Sequence, residues 1–260
     1  MCATCGCDTN TEITMHAPGS SLHQHEQHTH GYRKTVQVEK DVLHENNLLA
    51  ERNRGYFDAK NILALNLVSS PGSGKTALLE RTLTDLKGKM NFAVIEGDQQ
   101  TTCDADRIHA TGHKVVQINT GKGCHLDAHM VLHALQGMKP AAGSVLFIEN
   151  VGNLVCPAMF DLGEQERVVI ISVTEGDDKP LKYPDMFHSS TLCIINKTDL
   201  LPYVPFSMEK VKANALKINP GLSIIELSCS NGQGLQQWYQ WLQSKIPAPE
   251  NEPALPSSGE

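Results

Sequence analysis

Lys75 and Thr76 close the run ILALNLVSSPGSGKT (residues 62–76), whose residue types suit the grip of nucleotide phosphates. The apolar stretch has the length of a buried strand. The Ser-Pro-Gly-Ser-Gly turn after it lets backbone N–H groups converge on phosphate oxygens with no Cβ in the way. Gly72, Ser73, Gly74 and Ala77 belong to that cradle, Lys75 offers a point charge to the β and γ phosphates, and Thr76 offers a hydroxyl to Mg²⁺. A helix predicted over GKTALLERTLTDL turns the positive end of its dipole to the same place. Ser69 stands where the first glycine of G-x-x-x-x-G-K-[ST] belongs. These residues predict a nucleoside triphosphate ligand.

A second motif addresses the base. TLCIINKTD (residues 191–199) is another apolar strand, ending in Asn-Lys-x-Asp. Asp199 can accept hydrogen bonds from N1–H and the exocyclic amine of guanine. Adenine lacks that donor pair and would leave a buried carboxylate unpaired. Asn196 can bond the base edge, the stem of Lys197 can lie along the ring, and Ser228 opens a Ser-Cys-Ser loop placed to close over it. GTP, rather than ATP, is the expected ligand.

These motifs sit in a pattern that positions them. From about Asn61 to Pro247, apolar strands are predicted at 62–69, 91–96, 115–119, 144–149, 167–173, 191–196 and 223–227, with helical patterns between most of them. That alternation predicts an α/β fold, a mostly parallel sheet of about seven strands with helices on both faces. Residues 33–60 read as an N-terminal helical segment packed on this 61–247 unit. Residues 1–32 read as a flexible Cys/His-rich tail, and 248–260 as a proline-rich polar tail. A net charge of −7 in 260 residues argues against a nucleic-acid or membrane-surface partner. With no apolar span and no export signal in view, a cytoplasmic protein is expected, where the eight cysteines read as metal or redox groups before disulfides.

In such a sheet, ligands gather at the carboxyl ends of the strands. Glu96-Gly97-Asp98 is expected just after the second strand, with Asp98 available to Mg²⁺. Glu149-Asn150-Val151-Gly152 follows the fourth, where Gly152 N–H can meet a γ phosphate and Glu149 can hold metal-bound water. Softer ligands lie in two of these loops: Cys124 beside His125, and Cys156 four residues beyond Gly152. Thiolate and imidazole suit Zn²⁺ or Ni²⁺ far better than Mg²⁺. Three ligands are an incomplete shell that a two-fold dimer can complete or pair. Unligated cysteines beside a helix-start histidine are the bland alternative. At the N-terminus Cys2, Cys5 and Cys7, with the amine of Cys2 once Met1 is removed, make an N,S₃ set that favours planar Ni²⁺. Five histidines (His16, His23, His25, His28, His30) follow, as weak extra ligands or a solvated tract. Cys193 reads as core, and His109, His113, His129 and His133 read as structural.

Taken together, SSPGSGKT, EGDQQT, TGKGCHLDA, ENVGNLVCP, EGDDKPLKYP and NKTDL make the chain similar to HypB, the hydrogenase nickel-incorporation GTPases. These are relatives of the urease accessory GTPase UreG, within the SIMIBI class of P-loop NTPases. The resemblance spans about residues 35–247, and CATCGC at the start looks like the nickel motif of some members. It implies GTP-dependent dimerisation and delivery of nickel to the [NiFe]-hydrogenase large subunit precursor, with a HypA-like metallochaperone as partner. It also implies Cys124, His125 and Cys156 as nickel or zinc ligands, and Cys2, Cys5 and Cys7 as a nickel site. Lys75, Thr76, Asp98 and Glu149 become catalytic and magnesium residues, and Lys179 or Lys182 reaches phosphate across a dimer. No Gln follows ENVG in the usual water-positioning place, which predicts slow GTP hydrolysis to GDP. Competing readings are a nickel buffer centred on the tail, a GTPase serving another metal enzyme, and a redox role for CATCGC.

Overall fold

The structure, a computed structural model, describes residues 32–98, 103–121 and 123–246. The tails at 1–31 and 247–260, with Cys2, Cys5, Cys7 and the five tail histidines, lie outside the described residues. Seven strands form one parallel sheet: β1 (Leu63–Ser69), β2 (Phe92–Asp98), β3 (Lys114–Asn119), β4 (Val145–Glu149), β5 (Glu166–Ser172), β6 (Leu192–Asn196) and β7 (Ser223–Glu226). Their order across the sheet is β3-β2-β4-β1-β5-β6-β7. The chain leaves β1 in one direction for β2 to β4 and in the other for β5 to β7. The carboxyl end of β1 is therefore the switch point of the sheet, and the phosphate-loop sequence begins there.

Strand side chains alternate between two faces, and each face is buried. Leu65, Leu67, Phe147 and Ile170 pack with Leu78, Leu79 and Leu83 of α2 (Lys75–Asp85) and with Trp238 and Leu242 of α9 (Leu235–Ser244). The opposite face divides in two. Ala64, Ile95 and Ile148 meet Val131 and Leu135 of α4 (Ala128–Met138) and Phe57 of α1 (Tyr32–Ala59). Val169, Ile171, Cys193 and Ile195 meet Met186 and Phe187 of α7 (Pro184–His188) and Val211 of α8 (Met208–Ile218). Cys193 is core, as its setting in an apolar strand predicts, and burial pushes its thiol up to about 12.

The buried face of the N-terminal helix is partly polar. Leu48 is 60% exposed, whereas Asn46, Ala50, Asn53 and Phe57 are buried at helical spacing. Asn46 accepts from Ala128 N at 2.9 Å, and Asn53 donates to Ala128 O at 2.9 Å and to Leu162 O at 3.1 Å. Two buried amides thus dock α1 on the first turn of α4, just beyond the Cys124-His125 loop. No helix among the described residues is long and apolar enough to cross a membrane.

Candidate functional site

Lys75 and Thr76 begin α2 directly after Gly74, whose φ of +94° only glycine adopts without strain. A Cβ on Gly74 would also collide with the Asn196 amide. That closeness brings the phosphate and base motifs together: Asn196 Nδ2 donates to Ser73 O at 2.9 Å, and Lys197 Nζ donates to Gly72 O at 2.6 Å. Asn196 Oδ1 accepts from Lys197 N at 2.7 Å and Cys229 N at 3.4 Å. Asn196 therefore braces the phosphate loop against the base loops. Lys197 likewise has its amine tied to the loop. Asp199 accepts from the buried Ser228 hydroxyl at 2.5 Å, which fixes the direction of its carboxylate.

At the other side of the phosphate loop, Glu149 ends β4 with its side chain 1% exposed. Its Oε1 accepts from Lys75 Nζ at 2.7 Å and from Thr76 Oγ1 at 2.6 Å. Thr76 Oγ1 also lies 3.3 Å from Asp104 Oδ2, on α3 (Cys103–Ala110). Glu96 is paired in register with Glu149, and β2 runs on through Asp98. The Glu-Gly-Asp motif is thus part of the strand, not a loop beyond it, and Asp98 is its last residue. Burial first, then the charges of Glu149 and Asp98, push Glu96 up to about 8. Glu96 Oε2 and Glu149 Oε2 are buried without a hydrogen-bond partner. Orphaned carboxylate oxygens beside a threonine hydroxyl fit a hard divalent cation such as Mg²⁺.

A pH effect follows from Glu96. Its folded value of about 8 lies above the reference 4.5, so the folded chain holds the proton more tightly than the unfolded one. The associated stability is complete below about pH 4.5 and is lost as pH rises toward 8, by at most about 1.4 kcal/mol per pH unit. Glu96→Gln should flatten that decline in the nucleotide- and metal-free chain. Thermal midpoints at about pH 5, 6.5 and 8 check this; parallel declines in both proteins would contradict it.

The softer ligands also converge. Cys124 Sγ lies 2.8 Å from Cys156 Sγ and 3.6 Å from His125 Nδ1. All three ligand atoms fall within 4.8 Å of one another. The sulfurs are too far apart for a disulfide (about 2.05 Å). His125 stacks on Phe160, ring centroids 4.0 Å apart, and α4 begins only at Ala128, so His125 is a loop residue and not the start of the helix. Burial lowers the His125 pKa, which keeps its imidazole neutral and able to ligate.

The two clusters are joined by the segment after β4. Gly152 lies against Pro71 of the phosphate loop, so close that a Cβ there would stand 3.3 Å from Pro71 Cα. Asn150 Oδ1 accepts from Leu126 N at 3.1 Å, and Asn153 Nδ2 donates to Cys124 O at 3.3 Å. Leu126 in turn packs on Gly97, between Glu96 and Asp98. One short segment therefore touches the phosphate loop, carries Cys156, and holds the Cys124-His125 loop at two points.

Residues 63–226 match the CobW/HypB/UreG nucleotide-binding domain. A hydrogenase maturation factor HypB from Rhizobium leguminosarum bv. viciae is 55% identical over 229 residues, covering 88% of this chain and 73% of its own. The chain belongs to the HypB family of hydrogenase maturation factors. HypB from Archaeoglobus fulgidus superposes with a TM-score of 0.73 at 42% identity, over 78% of this chain and 99% of that one. HypB from Helicobacter pylori, solved in complex with nickel, gives 0.72 at 37%, over 80% and 100%.

In this HypB-family chain the two lysines of EGDDKPLKYP separate. Lys179 Nζ donates to Ser70 Oγ of its own phosphate loop at 3.2 Å, while Lys182 pairs with Asp178 at the surface. Glu96, Asp104, Asn150 and Asn153 join the site without having been singled out in the sequence. Only the spacing of Asn150 and Asn153 between Glu149 and Cys156 hinted at them.

Proposed function

We propose that this chain is a GTP-hydrolysing nickel metallochaperone that delivers nickel to the [NiFe]-hydrogenase large subunit precursor, its nucleotide state coupled to dimerisation and metal transfer. It works in the cytoplasm as a homodimer, with a HypA-like metallochaperone as partner. Nickel is its cargo, and Zn²⁺ is a second metal that the same thiolate–imidazole set accepts. The observation that carries this reading is the segment 149–156, whose first residue holds Lys75 and Thr76 and whose last is a thiol of the metal cluster.

The roles follow from chemistry at each position. Backbone N–H groups of Gly72 to Ala77 and the Lys75 ammonium take the phosphates, and Lys179 stands at the same loop. Thr76, Glu149 and Asp98, with Asp104 and Glu96 behind them, would hold Mg²⁺. Bound there, it offsets charge on the phosphate oxygens. Asp199, set by Ser228, selects guanine, while Asn196 and Lys197 keep the base and phosphate loops in register. Residue 150 is Asn and no Gln lies in 149–156 to orient water, so turnover is slow. A γ phosphate at Gly152 displaces or secures the 150–156 segment, and Asn153 passes that change to Cys124. Val155, 55% exposed, and Met159, 43% exposed, bracket Cys156 and offer apolar contact to a second copy or a client.

Asn153→Ser tests the relay. Serine still caps the turn by accepting from Val155 N, as Asn153 does at 2.9 Å, but lacks the amide that reaches Cys124 O. Nucleotide and nickel should each still bind, while the effect of one on the other falls by at least about half of its 1–3 kcal/mol. Nickel titration in both nucleotide states measures it, and unchanged coupling in the variant would sink the relay. The function itself is tested in a strain lacking its own HypB. The wild-type gene should restore hydrogenase activity and Cys156→Ser should not. Rescue by Cys156→Ser would instead favour a buffer centred on the N-terminal thiols.

A further inference from the structure

A buried polar seam separates the two apolar clusters on the sheet face covered by α1, α4, α7 and α8. Asn66, fully buried in β1, stands on that face between Ala64 of one cluster and Val68 of the other. It donates to Glu164 Oε1 at 3.1 Å and accepts from Asn150 Nδ2 at 3.3 Å. Glu164 pairs with Arg167 at 2.7 Å, the two side chains 5% and 8% exposed. The guanidinium also donates to Ala158 O at 3.2 Å, Phe160 O at 2.9 Å and Ser189 Oγ at 3.0 Å. No atom of this seam is among the buried polar atoms left without a partner.

A buried ion pair is not needed for stability, since apolar side chains of similar volume often serve as well or better. The ends of the seam supply another reason for it. Ala158 lies within α5 (Cys156–Met159), which Cys156 opens, and Phe160 follows directly. Phe160 carries the stacked ring of His125, and Asn150, at the far end, holds Leu126 N next to His125. The seam therefore grips the chain just beyond each metal-ligating segment, through Arg167 after Cys156 and through Asn150 after Cys124-His125. We infer that Arg167 and Glu164 are positioning residues for nickel, fixing how the Cys156 turn and the Cys124-His125 loop face each other. This rests on the reading of Cys124, His125 and Cys156 as the nickel ligands. Ligands from two separate segments bind more tightly when folding has already ordered them, because the metal then bears less of that cost.

Nickel titration of the full-length reduced chain tests this, read by thiolate-to-nickel absorption against a Cys156→Ser blank and well below each thermal midpoint. Arg167→Lys keeps a positive charge beside Glu164, but one ammonium cannot span Ala158 O, Phe160 O and Ser189 Oγ. Glu164→Gln combined with Arg167→Met removes both charges together. Neither is left uncompensated, so this double variant should melt near the wild type. Both proteins should bind nickel about 10–100-fold more weakly, the loss that follows removal of groups supporting a metal ligand. Both should also show a displaced absorption maximum, which a purely structural role would not move. Wild-type affinity with an unmoved maximum in either protein overturns the inference. Absorption that survives in Cys156→Ser defeats the ligand reading, and this inference with it. Absorption lost there but kept at wild-type strength in the double variant defeats this inference alone.

Discussion

Lys75→Met is expected to lower GTP turnover by about a hundred- to a thousandfold, the loss that follows removal of one oriented charge donor from a reacting centre. The same substitution should destabilise the nucleotide-free chain. Lys75 is 10% exposed and Glu149 1%, with 2.7 Å between their charged atoms. Removing one partner of a buried pair leaves the other charge uncompensated, at a cost of about 3–5 kcal/mol. Thr76 still donates to Glu149, so the lower figure applies, about 6–12 °C in thermal midpoint for a chain of this size. Glu149→Gln added to Lys75→Met should recover most of the stability and none of the turnover. Melting curves and phosphate release on both proteins separate the two effects. A Lys75→Met chain that melts like the wild type would show that the ion pair contributes no net stability.

Cys156→Ser should weaken nickel binding to the buried cluster by at least about tenfold, since even loss of a residue supporting a ligand costs 10–100-fold. A serine hydroxyl stays protonated and is a hard donor, whereas the thiolate is soft and charged. Cys124 and His125 remain as two ligands, and the 2.8 Å sulfur pair disappears. The thiolate-to-nickel absorption should fade in the variant, while GTP affinity in the absence of metal is unchanged. Retention of that absorption at wild-type strength would place the nickel thiolate elsewhere in the chain.

The sheet was readable because its strands are apolar runs closed by Gly, Pro, Asn or Asp. Each observed strand begins and ends within two residues of its expected place. The phosphate and base motifs were readable for a different reason: their residue types are dictated by the ligand. Glu96 and Asp104 were not, because a carboxylate acquires meaning only from its neighbours. Glu96 becomes unusual through register with Glu149, and Asp104 through the fold of α3 over Thr76. The buried face of α1 escaped a hydrophobic pattern because two of its contacts are the amides of Asn46 and Asn53. Asn196 was readable in part: its motif suggests the base, but not its bonds to Ser73, Lys197 and Cys229, which tie the base motif to the phosphate loop.

The central claim is that occupancy of the phosphate loop changes the hold on nickel at Cys124, His125 and Cys156. It is tested most directly by titrating nickel into the full-length reduced chain, with saturating GDP and again with a non-hydrolysable GTP analogue. Thiolate-to-nickel absorption reports the binding, and the Cys156→Ser chain serves as the blank that removes the N-terminal thiols from the signal. The account predicts dissociation constants that differ between the two states by about 5- to 150-fold, the range of ordinary coupling between sites. Equal constants in the two states would contradict it.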